Sequence, residues 1–331
     1  MGKRPVSRRR SAVWNRIVLV VCSLIFGALW PAPGVTADTP GLPPQPLPSE
    51  ELQQVLDRTV ARNLQNQTCL SPENLHVALI DLAAPHRPKL AHFNGHQPVY
   101  PSSVIKMVYM GYVYQLASTG KLKITPEVYQ KLHQMIHPSS NTATYWIVDL
   151  WSGTSGDELR SPEAYKEFAH KRNACNRWLR SLGIDVINAC QKTWGSPIPP
   201  GERQFLRNGT PSGPWLNRNA MTAAAAARFL QLLAQNVLVN KESCDAMREL
   251  MERDIRKQAY QRMRIAGGVP SGAKVFSKTG TTSDTFHDAG MVVLPDGRTF
   301  ILTVFITGPC RTAFIRDVAN DLSAHFMGHT P

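Results

Sequence analysis

A serine and a lysine stand three residues apart in the segment YPSSVIKM, as Ser103 and Lys106. On a helix, residues at this spacing lie on one face, so the amine would lie beside the hydroxyl. That arrangement activates a serine as a nucleophile for acyl transfer. The unpaired backbone N–H groups of a helix start would also help to stabilise a developing oxyanion. Because Ser-x-x-Lys occurs by chance in most long proteins, the pair needs support from other motifs.

The segment HPSSNTAT supplies a second pair, Ser139 and Asn141. The Ser139 hydroxyl could pass a proton to a leaving group, and the Asn141 side chain could hydrogen-bond the acyl part of a substrate. Serine and asparagine are also favoured as helix caps, which is the alternative interpretation.

A third motif consists of four consecutive residues, Lys278, Thr279, Gly280 and Thr281, in a stretch typical of a β-strand. The lysine and the hydroxyl groups could hold a substrate carboxylate, and the glycine would let that substrate approach the backbone closely. The alternative is an ordinary strand that ends in a turn.

Hydrophobic periodicity and turn residues predict the elements that must position these motifs. Ser49, followed by two glutamates and by apolar residues at helical spacing, predicts a helix over residues 49–65. A last helix is predicted over residues 311–326. Short β-type runs predict strands over residues 76–82, 89–93, 274–279, 290–294 and 300–307.

The region between the two groups of strands, residues 102–271, is predicted to be largely helical. It includes an alanine-rich helix at 221–233 and a charged helix at 241–260, with loops at 153–161 and 194–214. Strands from both chain ends around a helical middle suggest one antiparallel sheet with an all-helical subdomain inserted. The sheet subdomain would comprise residues 49–101 and 272–331, and the helical subdomain residues 102–271.

The first 48 residues predict an export signal and a tether. A basic stretch at residues 3–10, an apolar run at 17–29 and small residues up to Ala37 are typical of a cleaved secretory signal peptide over residues 1–37. An uncleaved membrane anchor is the alternative, although the apolar run is shorter than the roughly 20 residues that span a bilayer. Repeated prolines predict a stiff, extended linker over residues 38–48. The protein is therefore expected outside the cytoplasm, in the periplasm or beyond it.

Charge and cysteine content narrow the possible partners. The 331 residues carry a net charge of +13 and are 43% hydrophobic, which is enough for a large buried core. Because the sequence has no zinc-ligand spacing, phosphate loop or aromatic-basic pattern, nucleic-acid binding is not expected. The basic charge is compatible with association with the anionic cell envelope, but ordinary solubility is the favoured interpretation. Of six cysteines, Cys22 lies in the signal, so five remain, and an odd number leaves at least one thiol unpaired. None has the surroundings expected of a nucleophile.

With its three motifs in this order, the chain resembles the class A β-lactamases and the related penicillin-binding proteins. The resemblance covers almost the whole mature chain and includes the segments NACNRWLRSLG and NRNAMTAAAAARFLQLL. It implies an α/β (α+β) fold in which a five-stranded antiparallel sheet, covered by helices, borders a helical subdomain, with the active site at their junction. It also implies a monomer that needs no cofactor or metal and acts on a β-lactam or a small molecule derived from peptidoglycan.

The resemblance assigns the acylation chemistry to three residues. Ser103 would be acylated, Lys106 would be the general base or its partner, and Ser139 would relay a proton. The backbone amides of Ser103 and Thr281 would form the oxyanion hole.

The remaining motif residues would help the relay and bind substrate. Lys278 would assist the proton relay, and Asn141 would bind the substrate amide. Thr279 and Thr281 would contact a carboxylate, with Gly280 between them.

One feature of class A enzymes is missing. Their loop sequence Glu-Pro-Glu-Leu-Asn carries the glutamate that positions the deacylating water, and its position falls at or near Gly195 here. Glycine has no acid–base group, so Glu202 is the nearest downstream candidate. His287 is a further candidate, which would bind a carboxylate if it faced the cleft and were protonated.

The expected function is a β-lactamase-like serine hydrolase that works through an acyl-serine intermediate on β-lactams or related cell-wall amides and esters. Two alternatives stay open. A D,D-carboxypeptidase acting on peptidoglycan fits the missing loop glutamate, and a catalytically silent envelope-binding protein could have kept the fold after losing turnover.

Overall fold

The computed structural model of the chain describes residues 41–193, 198–208, 217–254 and 258–328. The predicted signal peptide and the position of Gly195 therefore lie outside the described residues. The strands are β1 (Leu47–Pro48), β2 (Leu75–Asp81), β3 (Lys89–Phe93), β4 (Lys274–Thr282), β5 (Thr285–Val293) and β6 (Thr299–Thr307).

Helices occupy the middle of the chain and both ends of the folded part. They are α1 (Glu50–Leu64), α2 (Lys106–Ser118), α3 (Pro126–Ile136), α4 (Asn141–Ser152), α5 (Pro162–Arg172), α6 (Ala174–Ser181), α7 (Pro200–Arg207), α8 (Ala223–Ala234), α9 (Lys241–Met251), α10 (Ile265–Gly268) and α11 (Phe314–Phe326). Short 3₁₀ turns lie at Pro72–Asn74, Ser102–Ile105 and Ala259–Met263.

All strands within the described residues form one sheet in the order β1-β3-β2-β6-β5-β4. The five strands expected from the sequence pair with one another in antiparallel fashion, and β2 from one chain end pairs with β6 from the other. The expected strand count of five was nevertheless too low, because β1 adds a parallel pair at the β3 edge. Leu47 and Ser49 each follow a proline and retain backbone N–H groups, which bond Pro88 O (2.9 Å) and Leu90 O (3.1 Å).

Successive residues along the strands pack into two different cores, as the alternation of a β-strand requires. On one face, α1, α10 and α11 cover buried side chains such as Val77 and Leu79 of β2. On the other, α8 covers β2, and Ala78 and Ile80 belong to a second core that also includes residues of α2. Helix α8 lies against β2, β5 and β6, and its run of alanines lets the helix approach the sheet closely. The predicted fold class, an antiparallel sheet from both chain ends combined with helices, is confirmed.

Helix boundaries differ from the expectations at identifiable points. Helix α1 begins after Ser49, whose hydroxyl accepts from Leu52 N (3.3 Å), as expected. The charged helix α9 ends at Met251 rather than near residue 260. Its continuation becomes extended and joins β4, where Arg253 N donates to Val275 O (2.8 Å). The expected loop at 194–214 contains α7, which begins at a proline, a residue suited to the first turn of a helix.

A disulfide, Cys69–Cys310, joins the segment after α1 to the segment after β6. Cys175, Cys190 and Cys244 are free thiols and buried, and burial raises the pKa of Cys190 to about 12. None of them is a nucleophile at neutral pH. None of the helices in the described part of the chain combines the length and apolar character that crossing a membrane requires.

Candidate active site

Ser103 lies in the 3₁₀ turn that leads into α2, not within a regular α-helix as the spacing suggested. The turn is closed by a hydrogen bond from Val104 N to Pro101 O (3.0 Å), and Lys106 follows as the first residue of α2. The Ser103 side chain is partly exposed, whereas Lys106 is fully buried. The nucleophile candidate is therefore open to a substrate, while the amine is shielded from water.

Gly280 brings β4 against this turn. A side-chain carbon at position 280 would lie 2.8 Å from Pro101 O and 3.0 Å from Ser102 Cβ, closer than carbon atoms normally approach. Only glycine therefore permits this contact. The close approach places the strand with Lys278 and Thr281 beside the residues that flank Ser103.

The Lys106 amine is aimed at the second motif. Its Nζ donates to Ser139 O (2.6 Å), to Asn141 Oδ1 (2.8 Å) and, at a longer distance, to Ser139 Oγ (3.2 Å). Burial lowers the pKa of Lys106 to about 7. A neutral Lys106 amine has two N–H groups, which donate to Ser139 O and Asn141 Oδ1. Its nitrogen lone pair can therefore accept a proton from a hydroxyl group.

Ser139 connects two lysines. Lys278 Nζ donates to Ser139 Oγ (2.9 Å) and to Thr279 O (2.8 Å), so Ser139 Oγ contacts the amines of both Lys278 and Lys106. Burial, with additional repulsion from Lys106 and Arg253, holds the pKa of Lys278 well below its ordinary value. A hydroxyl between two amines with lowered pKa values can take a proton from one side and give one to the other.

The capping alternative for this motif applies to a different residue. Ser140 caps α4, because its hydroxyl accepts from Ala143 N (3.2 Å), and Asn141 begins the helix. Ser139 has a left-handed backbone conformation (φ 61°), and its hydroxyl is therefore available to hydrogen-bond Lys106 and Lys278. Asn141 Oδ1 accepts from both Lys106 and Thr193 Oγ1 (3.0 Å), which fixes the orientation of its amide.

The threonine positions lie next to an arginine that the sequence analysis missed. Thr281 is exposed, and its hydroxyl accepts from Arg264 (2.7 Å), whose guanidinium also donates to His287 O (2.7 Å). Burial lowers the pKa of Arg264 to about 10, so it remains positive at neutral pH. Thr279 is nearly buried. The segment QRMRIAGG has no pattern that would single out Arg264, since only the fold brings it to β4.

His287 is buried and does not face the cleft, contrary to the expectation that it would bind a carboxylate when protonated. Its ring is fully buried, and Nδ1 accepts from Ile306 N (3.1 Å), so Nε2 carries the proton and donates to Tyr100 O (3.0 Å). Burial lowers its pKa to about 3, which keeps it neutral. The ring therefore supports the segment that precedes Ser103.

Glu202 lies in a buried ion cluster with Arg172, Lys192 and Asp149. The Glu202 carboxylate pairs with Arg172, which is fully buried, and lies 3.8 Å from Lys192 Nζ, while Lys192 also pairs with Asp149 (2.7 Å). Among the contacts that the structure describes for Glu202, none is to Ser103, Lys106 or Ser139. Glu202, the candidate deacylation base, therefore interacts with this ion cluster and does not contact the residues that would carry the acyl group.

The Glu202→Gln variant is expected to be less stable by about 3 kcal/mol, because the buried Arg172 charge loses its nearer carboxylate partner and keeps the Asp149 carboxylate at 3.9 Å. Chemical denaturation measures this difference. Glu167→Gln is the matched control, since Glu167 forms an exposed ion pair with Lys171 (2.6 Å) and its loss should change stability little. Equal stability of the Glu202 and Glu167 variants would show that the buried pair contributes nothing.

Within the described ranges, no group of three or more His, Cys, Asp or Glu side chains is placed to hold a metal ion. The side chains around Ser103 and Ser139 contribute hydroxyl, amine, amide and guanidinium groups, and this fold and this site define the class of β-lactamase-like serine hydrolases. The model of the beta-lactamase enzyme family matches residues 126–326, and the chain belongs to that family. The matched range includes Ser139, Asn141 and Lys278, while Ser103 and Lys106 precede it.

Solved structures agree with this fold. A variant of the penicillin-binding protein PBP-A, in an acyl-enzyme complex with penicillin G, is 18% identical over 87% of this chain and 100% of its own, with a TM-score of 0.59. A β-lactamase from Sphaerobacter thermophilus is 19% identical over 84% of this chain and 99% of its own, also with a TM-score of 0.59. The class A β-lactamase of the last common ancestor of Gram-negative bacteria is 20% identical over 82% and 99%, with a TM-score of 0.58. No curated protein sequence matches significantly.

Proposed function

We propose that Ser103 is acylated by β-lactams or by related cell-wall amides and esters. The observation that carries the proposal is the Ser139 hydroxyl in contact with the amines of both Lys106 and Lys278. Neutral Lys106 accepts the Ser103 proton as Ser103 Oγ bonds to the carbonyl carbon. The oxyanion forms at the backbone amides of Ser103 and Thr281. As the C–N bond breaks, Ser139 donates its proton to the leaving nitrogen and is reprotonated by a lysine.

The hydroxyl groups and positive charges on and beside β4 would orient the substrate. A carboxylate on the substrate would bind the hydroxyls of Thr279 and Thr281, with Arg264 behind them. Buried Lys278 adds a second cationic site when it is protonated. Asn141, which begins α4, would hydrogen-bond the amide of the acyl side chain.

The fate of the acyl-enzyme distinguishes hydrolysis of β-lactams from D,D-carboxypeptidase activity. The position of the class A loop glutamate falls at or near Gly195 in this sequence, and the nearest downstream carboxylate, Glu202, is held by Arg172. Lys106, whose pKa is about 7, is then the base available to activate water. The missing loop glutamate predicts slow deacylation of a penicillin, which makes D,D-carboxypeptidase activity the second candidate function.

Intact-mass measurement of the protein during reaction with penicillin G tests the proposal. The expected result is a mass increase equal to one penicillin, located on Ser103 by peptide mapping. An adduct that disappears within minutes as penicilloate accumulates identifies a β-lactamase, whereas one that persists for hours identifies a peptidase that penicillin inhibits. Absence of an adduct would contradict β-lactam recognition and leave the catalytically silent envelope protein.

We also propose that the protein acts as a monomer outside the cytoplasm, in contact with the envelope. The Cys69–Cys310 disulfide supports this location, because disulfides persist mainly in oxidising compartments. The basic charge is compatible with contact to anionic envelope polymers.

A further inference from the structure

Three buried or half-buried hydroxyls join the nucleophile turn to the β4–β5 hairpin. Ser102 Oγ lies 2.5 Å from Thr285 Oγ1, and Thr285 Oγ1 lies 2.8 Å from Thr282 Oγ1. Ser102 and Thr285 are almost completely buried, with 3% and 7% of their surface exposed. Water therefore competes little with these bonds, and losing one partner would leave a buried hydroxyl unpaired.

Ser102 holds an unusual backbone conformation. Its φ of 50° lies in the left-handed region, which is unfavourable for a non-glycine residue and persists only where surrounding contacts hold it. The peptide between Ser102 and Ser103 carries the N–H group of Ser103. The Ser102 conformation therefore sets the direction of one proposed oxyanion donor.

Thr285 and Thr282 lie next to the second proposed oxyanion donor, the backbone N–H of Thr281. They face each other in the last register pair of the β4–β5 hairpin, and Thr281, which supplies the second amide, precedes Thr282 directly. Gly280 packs on Pro101 O and Ser102 Cβ at the same place. The hydroxyl chain thus runs from the residue before one amide to the residue after the other.

The geometry points to Ser102 and Thr285 as positioning residues that fix the separation and direction of the two oxyanion amides. This inference rests on the proposed acylation of Ser103. The hydroxyl pair touches neither substrate nor reacting atoms and acts through the backbone on either side of it. Van der Waals contact through Gly280 sets how closely the two segments approach, and the hydroxyl bond sets their register and orientation.

The Thr285→Val variant of the full chain tests the inference, because valine keeps the shape of threonine and removes the hydroxyl. The rate constant of Ser103 acylation at saturating penicillin G is expected to fall at least about tenfold, with a smaller change in penicillin affinity, since small misplacements of reacting groups are costly. Thr285→Ser should restore the rate to within about threefold. Ser102→Gly, which keeps the left-handed backbone accessible, should behave like Thr285→Val.

Thr303→Val is the matched control. Thr303 lies fully buried on β6, and its hydroxyl has no hydrogen-bond partner among the described residues. This variant removes a buried threonine hydroxyl from the same sheet without touching the hydroxyl chain. Its acylation rate constant should equal that of the wild-type protein, and thermal unfolding identifies any loss of folded protein.

A fluorophosphonate, which modifies reactive serines without β-lactam recognition, serves as a second probe. Equal acylation rate constants in the wild-type protein and Thr285→Val would overturn the inference, and so would a loss that Thr285→Ser does not restore. If the wild-type protein forms no penicillin adduct, the proposed substrate class is wrong and the fluorophosphonate rates decide. A tenfold slower modification of Ser103 in Thr285→Val still supports the positioning role, whereas equal rates or no reaction at Ser103 refute it.

Discussion

Replacing Ser103 with alanine is expected to abolish the penicillin adduct and to lower penicillin turnover by at least about 10³-fold, the scale seen when an acyl-transfer nucleophile is removed. Ser103 is the partly exposed hydroxyl in the turn against which β4 packs through Gly280. Lys106, Ser139 and Lys278 remain in Ser103→Ala but have no oxygen to acylate. Intact mass and the rate of β-lactam absorbance loss measure the two effects.

Variants at other serines test whether Ser103 is the nucleophile. Ser118→Ala, at the exposed far end of α2, removes a hydroxyl that bonds only within its own helix and should leave adduct formation unchanged. Adduct formation at another serine in Ser103→Ala, mapped to Ser102 or Ser139, would move the nucleophile to that residue. Full activity of Ser103→Ala would refute the acyl-serine mechanism altogether.

Local sequence was sufficient where neighbouring residues determine the structure. Ser49 and the two glutamates after it specify the start of α1, and the apolar run at 75–80 specifies a buried strand. The order of the three motifs predicts the fold class because each motif belongs to a fixed element of the sheet or of the helical layer. These features depend on residues within a few positions of each other, which periodicity and capping rules describe well.

Long-range contacts determine the features that the sequence did not predict. Arg264 meets Thr281 because a 3₁₀ turn and the short helix α10 carry it to the β4 strand, and Arg253 bonds Ser277 O because α9 ends early. Glu202 pairs with Arg172, thirty residues away in the chain, so its sequence neighbours gave no sign of burial. His287 is enclosed between Tyr100 and Ile306 for the same reason.

The left-handed backbone at Ser102 and Ser139 has a related origin. Serine does not favour positive φ, so the residue types at these two positions do not predict the left-handed conformation. In both cases a hydroxyl bond to a distant element holds it, to Thr285 in one and to Lys278 in the other. The two strained serines lie in the nucleophile turn and in the proton relay, where backbone strain is commonly retained for function.

Lys106 should give acylation a pH dependence of known direction. Its pKa of about 7 means that about 1% of the amine is neutral at pH 5 and about 90% at pH 8. Since only the neutral amine accepts the Ser103 proton, the acylation rate constant should rise with pH and level off above pH 8. A rate constant that falls through this range, or that stays flat between pH 5 and pH 8, would contradict the role of Lys106 as base.

The Lys106→Met variant separates Lys106 from Lys278, the other amine whose pKa is lowered by burial. Loss of the base should lower the acylation rate constant at least about hundredfold at pH 8 and remove the inflection near pH 7. Lys274→Met, at the exposed start of β4, is the control for removing a lysine and should keep both the rate and the inflection. If the inflection persisted in Lys106→Met, Lys278 would be the group that titrates. The proton of Ser103 would then travel through Ser139 to the strand lysine, because the Ser139 hydroxyl contacts both amines and can pass the proton to either.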